Sequence, residues 1–256
     1  MKHFNNYIIK VTIFLSFMLL CSFTASAQTG FIDFGSIHLL FGLSTSRIIG
    51  DNPGAKPMVE RDSTKPAING GSFDGFQPGF VLKMNFKIDK NGNFEIPLGF
   101  EYNFLRAAER IPISKYTTAT LKHSVDIPAV SIGFNYLFLK FPYANVKAYI
   151  GLEARVNFVQ SGTWRREIKY GYLDTTDAKE IKTKVPATRL GGVLHIGFEG
   201  EIVEPLFINT SFGLGAMNFF GRDNSRGELL TFTRFNELEE SIVYNYYFNL
   251  MIQYRF

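Results

Sequence analysis

Residues 240–256 read E-S-I-V-Y-N-Y-Y-F-N-L-M-I-Q-Y-R-F, and this stretch decides the fold. The even positions, Ile242, Tyr244, Tyr246, Phe248, Leu250, Ile252, Tyr254 and Phe256, are all apolar or aromatic. The odd positions, Ser241, Val243, Asn245, Tyr247, Asn249, Met251, Gln253 and Arg255, are mostly polar. Successive side chains of a strand point to opposite faces, so the segment has one greasy face and one wet face. It also outruns the five or six residues usual for a strand in a soluble sheet. A tilted strand crossing a bilayer needs roughly 9–11 residues plus interfacial ends. Length and alternation together predict a membrane-crossing strand.

The other end of the chain agrees. Lys2 and Lys10 flank a short apolar core, Val11 to Leu20, and Ala25-Ser26-Ala27 supplies a small-x-small cleavage site before Gln28. Residues 1–27 therefore read as a secretory signal and 28–256 as the mature domain. The apolar run of about ten residues is too short for a transmembrane helix. A lipoprotein would need a small residue before Cys21, but Leu20 stands there. Cleavage after Ala27 removes this single cysteine, and with it disulfide and thiolate chemistry. It also removes two lysines and no acid, so the net charge of +4 falls to about +2. That balance gives no reason to expect a nucleic-acid partner. Aromatic residues make up 16% of the chain, with 27 Phe, yet no stretch of eighteen apolar residues occurs. This composition suits lipid-facing strands with interfacial aromatic girdles.

The same alternation recurs seven more times. Strands are expected at roughly 36–47, 77–88, 94–105, 125–139, 146–160, 188–203 and 206–220, before the last at 240–256. The expected lipid faces include Phe41 and Leu43; Phe80, Leu82 and Phe86; Ile96, Phe100 and Tyr102; Ile132 and Phe134; Ala148, Ile150 and Leu152; Leu194 and Ile196; and Ile208, Phe212 and Ala216. Connections alternate in length. Asp89-Lys90-Asn91-Gly92-Asn93, 140–145 and Glu204-Pro205 are short, whereas 48–76, 106–124, 161–187 and 221–239 are long. Short turns on one side and long loops on the other are the habit of outer-membrane barrels. The expected fold is an all-β, eight-stranded antiparallel transmembrane β-barrel in an up-and-down meander. A soluble eight-stranded barrel of lipocalin type would reverse the pattern, with apolar residues inside.

With apolar residues outward, His38, Lys83, Lys87, Glu95, Glu101, Lys147, Glu153, Arg155, Arg189, His195, Glu199, Glu201 and Arg255 face inward. Eight strands enclose just enough room for side chains, so these charges read as a packed polar network centred on Glu101, Glu153, Arg155, Arg189, His195 and Glu199. A catalytic reading would use His123, Ser124 and Asp126, but adjacent residues on a strand face opposite ways. No spacing suggests a metal site, and no cofactor is expected. The long loops carry the candidate contacts Trp164, Arg165, Arg166, Tyr170 and Tyr172. Their Arg and aromatic content suits protein contact or an anionic lipid surface, the plainer alternative placing Trp164 in the aromatic girdle. Residues 222–239 are expected to extend the last two strands as a hairpin.

Together the features resemble small outer-membrane β-barrel proteins of the OmpA/OmpX size class. In finer texture they resemble the PorT-like barrels of Bacteroidota, through Asp126-Ile127-Pro128-Ala129-Val130, Glu95-Ile96-Pro97-Leu98-Gly99-Phe100-Glu101-Tyr102 and Ala148-Tyr149-Ile150-Gly151-Leu152-Glu153. The resemblance implies the outer membrane of a Gram-negative bacterium, with contacts to outer-membrane lipid and lipopolysaccharide. It also implies the barrel-assembly machinery as a partner, which would read Phe248, Leu250, Ile252, Tyr254 and the closing Phe256. A protein partner in the envelope is a further expectation. The function expected is non-enzymatic, a structural role or one in secretion or adhesion, exerted through the loops. A narrow channel or small-ligand barrel is the alternative, and a lipid-modifying enzyme a remote one.

Overall fold

Strict alternation of polar and apolar residues leaves each strand a single register that hides its polar face, since a slip of one residue would turn both faces over. The computed structural model describes residues 37–59, 70–89, 92–141, 143, 145–233 and 239–256. The signal at 1–27, with Ala25, Ala27, Gln28 and Cys21, lies outside the described residues, as do Lys90 and Asn91. Ten strands occur in this part: β1 (Ile37–Ile49), β2 (Gln77–Lys87), β3 (Phe94–Ser114), β4 (Thr117–Phe141), β5 (Val146–Val159), β6 (Thr163–Tyr170), β7 (Thr175–Lys182), β8 (Ala187–Val203), β9 (Leu206–Phe220) and β10 (Tyr244–Arg255). Eight of them close a ring in the order β1-β2-β3-β4-β5-β8-β9-β10, every pair antiparallel. β1 shuts the ring against β10, from Ile49 opposite Tyr244 to His38 opposite Arg255.

The faces are those read from the sequence, and the inside is polar. Phe41, Leu43, Ile132, Leu152 and Ile252 are more than half exposed, whereas Glu153, Asn245 and Gln253 are at most 1% exposed. A ring of Phe, Leu and Ile on the outside and carboxylates on the inside is stable only with hydrocarbon around it. The soluble-barrel alternative is thereby overturned; this is a transmembrane β-barrel. Ala148 and Ala216 depart from the expected lipid face in being buried, and Glu201, expected inward, is exposed. Ala148 sits where the pairing of β4 with β5 shifts register, beside Phe198 on β8.

The short turns behave as read. Gly92 takes φ +62° and donates its N–H to the Asp89 carbonyl at 3.0 Å, a conformation that glycine adopts without strain. The long connections do not behave as read. Residues 106–124 are not a loop, because β3 and β4 run on past the belt and turn at Lys115-Tyr116. Residues 161–187 form the hairpin β6–β7, which pairs with the raised part of β4 from Thr117–Tyr170 to Ser124–Thr163. A four-stranded sheet β3-β4-β6-β7 therefore stands above the ring at its long-loop end. By contrast no strand occurs among the described residues of 221–243, and the last strand begins at Tyr244, not at Glu240.

Where β5 passes into β6 the strand gains a residue. From Ala129 to Ser124 β4 advances five residues, while its partner advances six, from Asn157 to Thr163. Gln160 N–H donates to the Asp126 carbonyl at 2.9 Å within this bulge. One extra residue flips the parity of the next strand, so odd residues of β6 face outward where even residues of β5 do.

Candidate functional site

The lumen is filled in tiers. At the short-turn end Glu199 takes Arg255, Gln253 and, at 3.8 Å, Lys147. His38 Nδ1 lies 3.6 Å from Glu95, and Asn85 donates to Glu95 at 3.0 Å. In the middle tier Glu153 pairs with Lys83, and Arg155 spans Glu153 and Glu101 at 3.2 and 2.8 Å. The Arg155 guanidinium also lies over the Tyr247 ring at 4.4 Å. His195 completes this tier between Glu153 and Asn135. Buried charges persist only when paired, and here two cations meet two anions. Tyr149 donates to Asn209 at 2.7 Å and crosses the lumen against Gly197, where a Cβ would come within 2.3 Å of its ring.

Arg189 belongs to an upper tier. It grips Glu240 with two hydrogen bonds, 2.7 and 2.5 Å, while Asn218 and the Asp223 N–H donate to the same carboxylate. Burial by itself raises the Glu240 pKa, but the hydrogen bonds from Arg189, Asp223 and Asn218 outweigh it and hold the group below its ordinary value. Above this tier the lumen is apolar. Phe73 from residues 70–76, and Leu229 and Leu230 from 221–233, are buried against Ile48, Leu105, Val125, Ile127, Val159, Met217 and Val243. Both loops fold over the mouth and seal it. This cap has no counterpart in the sequence reading, because 70–76 and 221–233 carry no period, and Glu240, expected to open the last strand, lies before it.

The candidate loop contacts divide. Trp164 is not in the girdle. It faces inward opposite His123 and stacks on Phe232 at 5.2 Å. Arg166 also faces inward, 3.6 Å from Asp177, whereas Arg165 faces outward and donates to Glu167 at 2.8 Å. Tyr172 is exposed at the sheet's tip, its ring 6.4 Å from that of Tyr116, and Tyr170 is partly exposed beside it. His123 and Ser124 do not meet. The imidazole contacts the Gly71 carbonyl and the Phe73 ring, while Ser124 shares a hydrogen bond with Thr163 on the other face. Asp126 is held by Arg106 at 2.6 Å. No shared proton path links the three.

One grouping escaped the sequence: His38, Glu95 and Glu199 place ligand atoms within 4.8 Å of one another. Residues far apart in the chain make it, so no spacing could announce it. The set is a poor metal cradle, because Arg255 and Lys147 already neutralise Glu199 and Gln253 donates to it. It reads as the lowest tier of the ion-pair network.

Fold and lumen define a small transmembrane β-barrel with a filled interior and a raised sheet. No protein-family model matches the chain, and no curated protein matches it. Among solved structures it is similar to the Neisserial surface protein A, at 8% identity over 86% of this chain and 97% of that one, with a TM-score of 0.45. It is also similar to Ail, the attachment invasion locus protein of Yersinia pestis, at 14% identity over 87% and 99%, with a TM-score of 0.36. The outer membrane protease OmpT from Escherichia coli is similar at 8% identity over 91% and 100%, with a TM-score of 0.34. At such identities the likeness is one of strand arrangement alone.

Proposed function

We propose that this chain is a non-enzymatic integral protein of a Gram-negative outer membrane, acting as a structural or envelope-assembly component through the part that stands outside. The closed lumen carries the reading. Among the described residues ion pairs fill the barrel from Glu199 to Arg189, and Phe73, Leu229 and Leu230 pack across its mouth, which favours this reading over transport through the interior. What remains available to a partner is the sheet β3-β4-β6-β7, with Tyr116, Tyr172 and Leu173 exposed at its tip. Exposed aromatic and aliphatic side chains away from lipid favour protein contact. The apolar belt also supports contact with outer-membrane lipid, and the final strand supports recognition by the barrel-assembly machinery. A PorT-like affiliation within Bacteroidota is the finer form of the same proposal, supported by the strand phrases at 95–102, 126–130 and 148–153.

The test is a photo-crosslinking amino acid placed at Tyr172 or, on a short turn, at Tyr143 in cells of the source organism. A discrete protein adduct from Tyr172, recovered with the outer-membrane fraction, is expected. Adducts from Tyr143 alone, or a protein absent from that fraction, would contradict the proposal.

A further inference from the structure

The outward face of the raised sheet carries an arrangement of cations that the barrel itself does not require. Registry sets them in rungs across the strands. Arg106 (β3) faces Ser124 (β4), which faces Thr163 (β6), which faces Lys182 (β7). One rung higher, Ala108 faces Lys122, which faces Arg165, which faces Glu180. Lys122 and Arg165 are thus directly opposed across a strand pair, a position where like charges destabilise a sheet. A single carboxylate, Glu167, serves both, at 3.2 Å from Lys122 and 2.8 Å from Arg165. Arg106 is held by Asp126, and Glu180 lies 3.9 Å from Arg165. Four cations therefore share three acids on this patch. Between them lies a cleft of about 410 Å³, lined by Arg106, Lys122, Ser124, Thr163, Arg165 and Glu180.

Its height names the occupant. Phe80, Tyr102 and Phe104 form a contiguous aromatic cluster on the lipid face, ring centroids 4.9 to 6.2 Å apart. Such clusters mark the hydrocarbon boundary of a barrel. Arg106 lies two residues beyond Phe104 on the same face, which is roughly 7 Å along the strand. The headgroup layer on each side of a bilayer is about 5–8 Å deep. The lower end of the cleft, at Arg106, therefore lies in the headgroup layer, and Lys122 and Arg165, one rung higher and roughly 10 Å above the boundary once strand tilt is allowed for, stand at its outer edge.

We propose that this cleft binds the phosphorylated headgroup of an outer-leaflet lipid, with Lys122 and Arg165 as its principal donors, Arg106 below them and the Ser124 and Thr163 hydroxyls between. A phosphate between Lys122 and Arg165 adds to the counter-charge that Glu167 divides between them and that Glu180 offers Arg165 at 3.9 Å. The exposed ion pairs it competes with are individually weak, and phosphate accepts charge-assisted hydrogen bonds from both cations at once. The proposal rests on the outer-membrane placement proposed above.

The experiment uses the full-length folded protein in nanodiscs, titrated with bisphosphorylated lipid A or its dephosphorylated form and read by native mass spectrometry. The unaltered protein should retain the phosphorylated lipid at least tenfold more strongly. The double variant Lys122→Ala/Arg165→Ala should lose that preference while still showing the mobility shift of a folded barrel, since it removes a like-charge pair from an exposed face. Arg222→Ala, a loop cation off this sheet, should keep it. Equal retention of both lipids by the unaltered protein, or undiminished preference in the double variant, would overturn the proposal. Full competition by inorganic phosphate would also overturn it, as the cleft would then read a free anion and not a lipid. Fractionation of cells making the unaltered protein separates the two levels: equal retention of both lipids with intact outer-membrane placement sinks the cleft alone.

Discussion

Arg189 and Glu240 fasten the cap to the barrel wall. Both side chains are almost fully buried, at 6% and 0% exposure, so removing either leaves a charge without its partner. Glu240→Gln or Arg189→Ala should therefore destabilise the cap by about 3–5 kcal/mol, seen as protease nicking within 221–243 while the barrel stays folded. The pH dependence has a definite sign. A carboxyl whose folded pKa is depressed contributes stability above its unfolded value and loses it as pH falls through the folded value. Nicking by an acid-active protease should stay low from neutrality down to the ordinary glutamate range near ~4.3, then rise on further acidification. In Glu240→Gln that rise should vanish. Sequence alone placed Arg189 inside the lumen, because it lies on a strand with a readable period. It could not supply Glu240, 51 residues away, which the reading takes as the first residue of the last strand but which lies before that strand begins at Tyr244. In the core of the lumen, Gly197→Val should displace Tyr149 and cost about 1–3 kcal/mol, measured as a lowered unfolding midpoint by gel mobility.

The elements divide by whether their period is interrupted. The two faces of β10 were legible, since Tyr244 to Tyr254 alternates exposed and buried without a break, although the strand begins four residues later than its pattern suggests. β6 was not, because the bulge before it reverses parity and no side chain between Val159 and Thr163 signals the extra residue. Trp164 is the visible casualty: read forward from β5 it faces outward, and in the raised sheet above the belt it instead faces inward and stacks on Phe232. Deleting Gln160 should restore the unbroken register and turn Trp164 outward. Because this is the chain's single tryptophan, emission should shift to the red and quenching by acrylamide should rise. Unchanged emission would contradict the bulge as the cause. On the belt itself, Leu250→Arg places a guanidinium against hydrocarbon in the middle of β10, opposite Thr210 and Leu43. It should destabilise the barrel by about 2–4 kcal/mol in chemical unfolding from lipid vesicles.

At the scale of the molecule, two different physical rules built the two halves of the structure. Within the membrane, every backbone group must be paired and every outward side chain must be apolar, so the rule is written as a two-residue period and can be read directly. Strand number, closure and the polarity of the lumen come from it. Outside the membrane, that rule lapses. β3 and β4 continue into water because they stay paired with each other and Thr117–Tyr170 and its neighbouring rungs pair β4 with β6, and the mouth closes because Phe73, Leu229 and Leu230 join one buried cluster. Those contacts are long-range and aperiodic. The sequence names their residues without their partners.

The filled lumen and sealed mouth make a direct statement about ion flow. Single-channel recording of the folded protein in a planar bilayer should give a flat baseline, with no resolved steps at moderate voltage. Regular, reproducible conductance steps from the purified, folded barrel would mean that the ion pairs and the cap do not close the interior. A role carried by the raised sheet would then give way to one in transport.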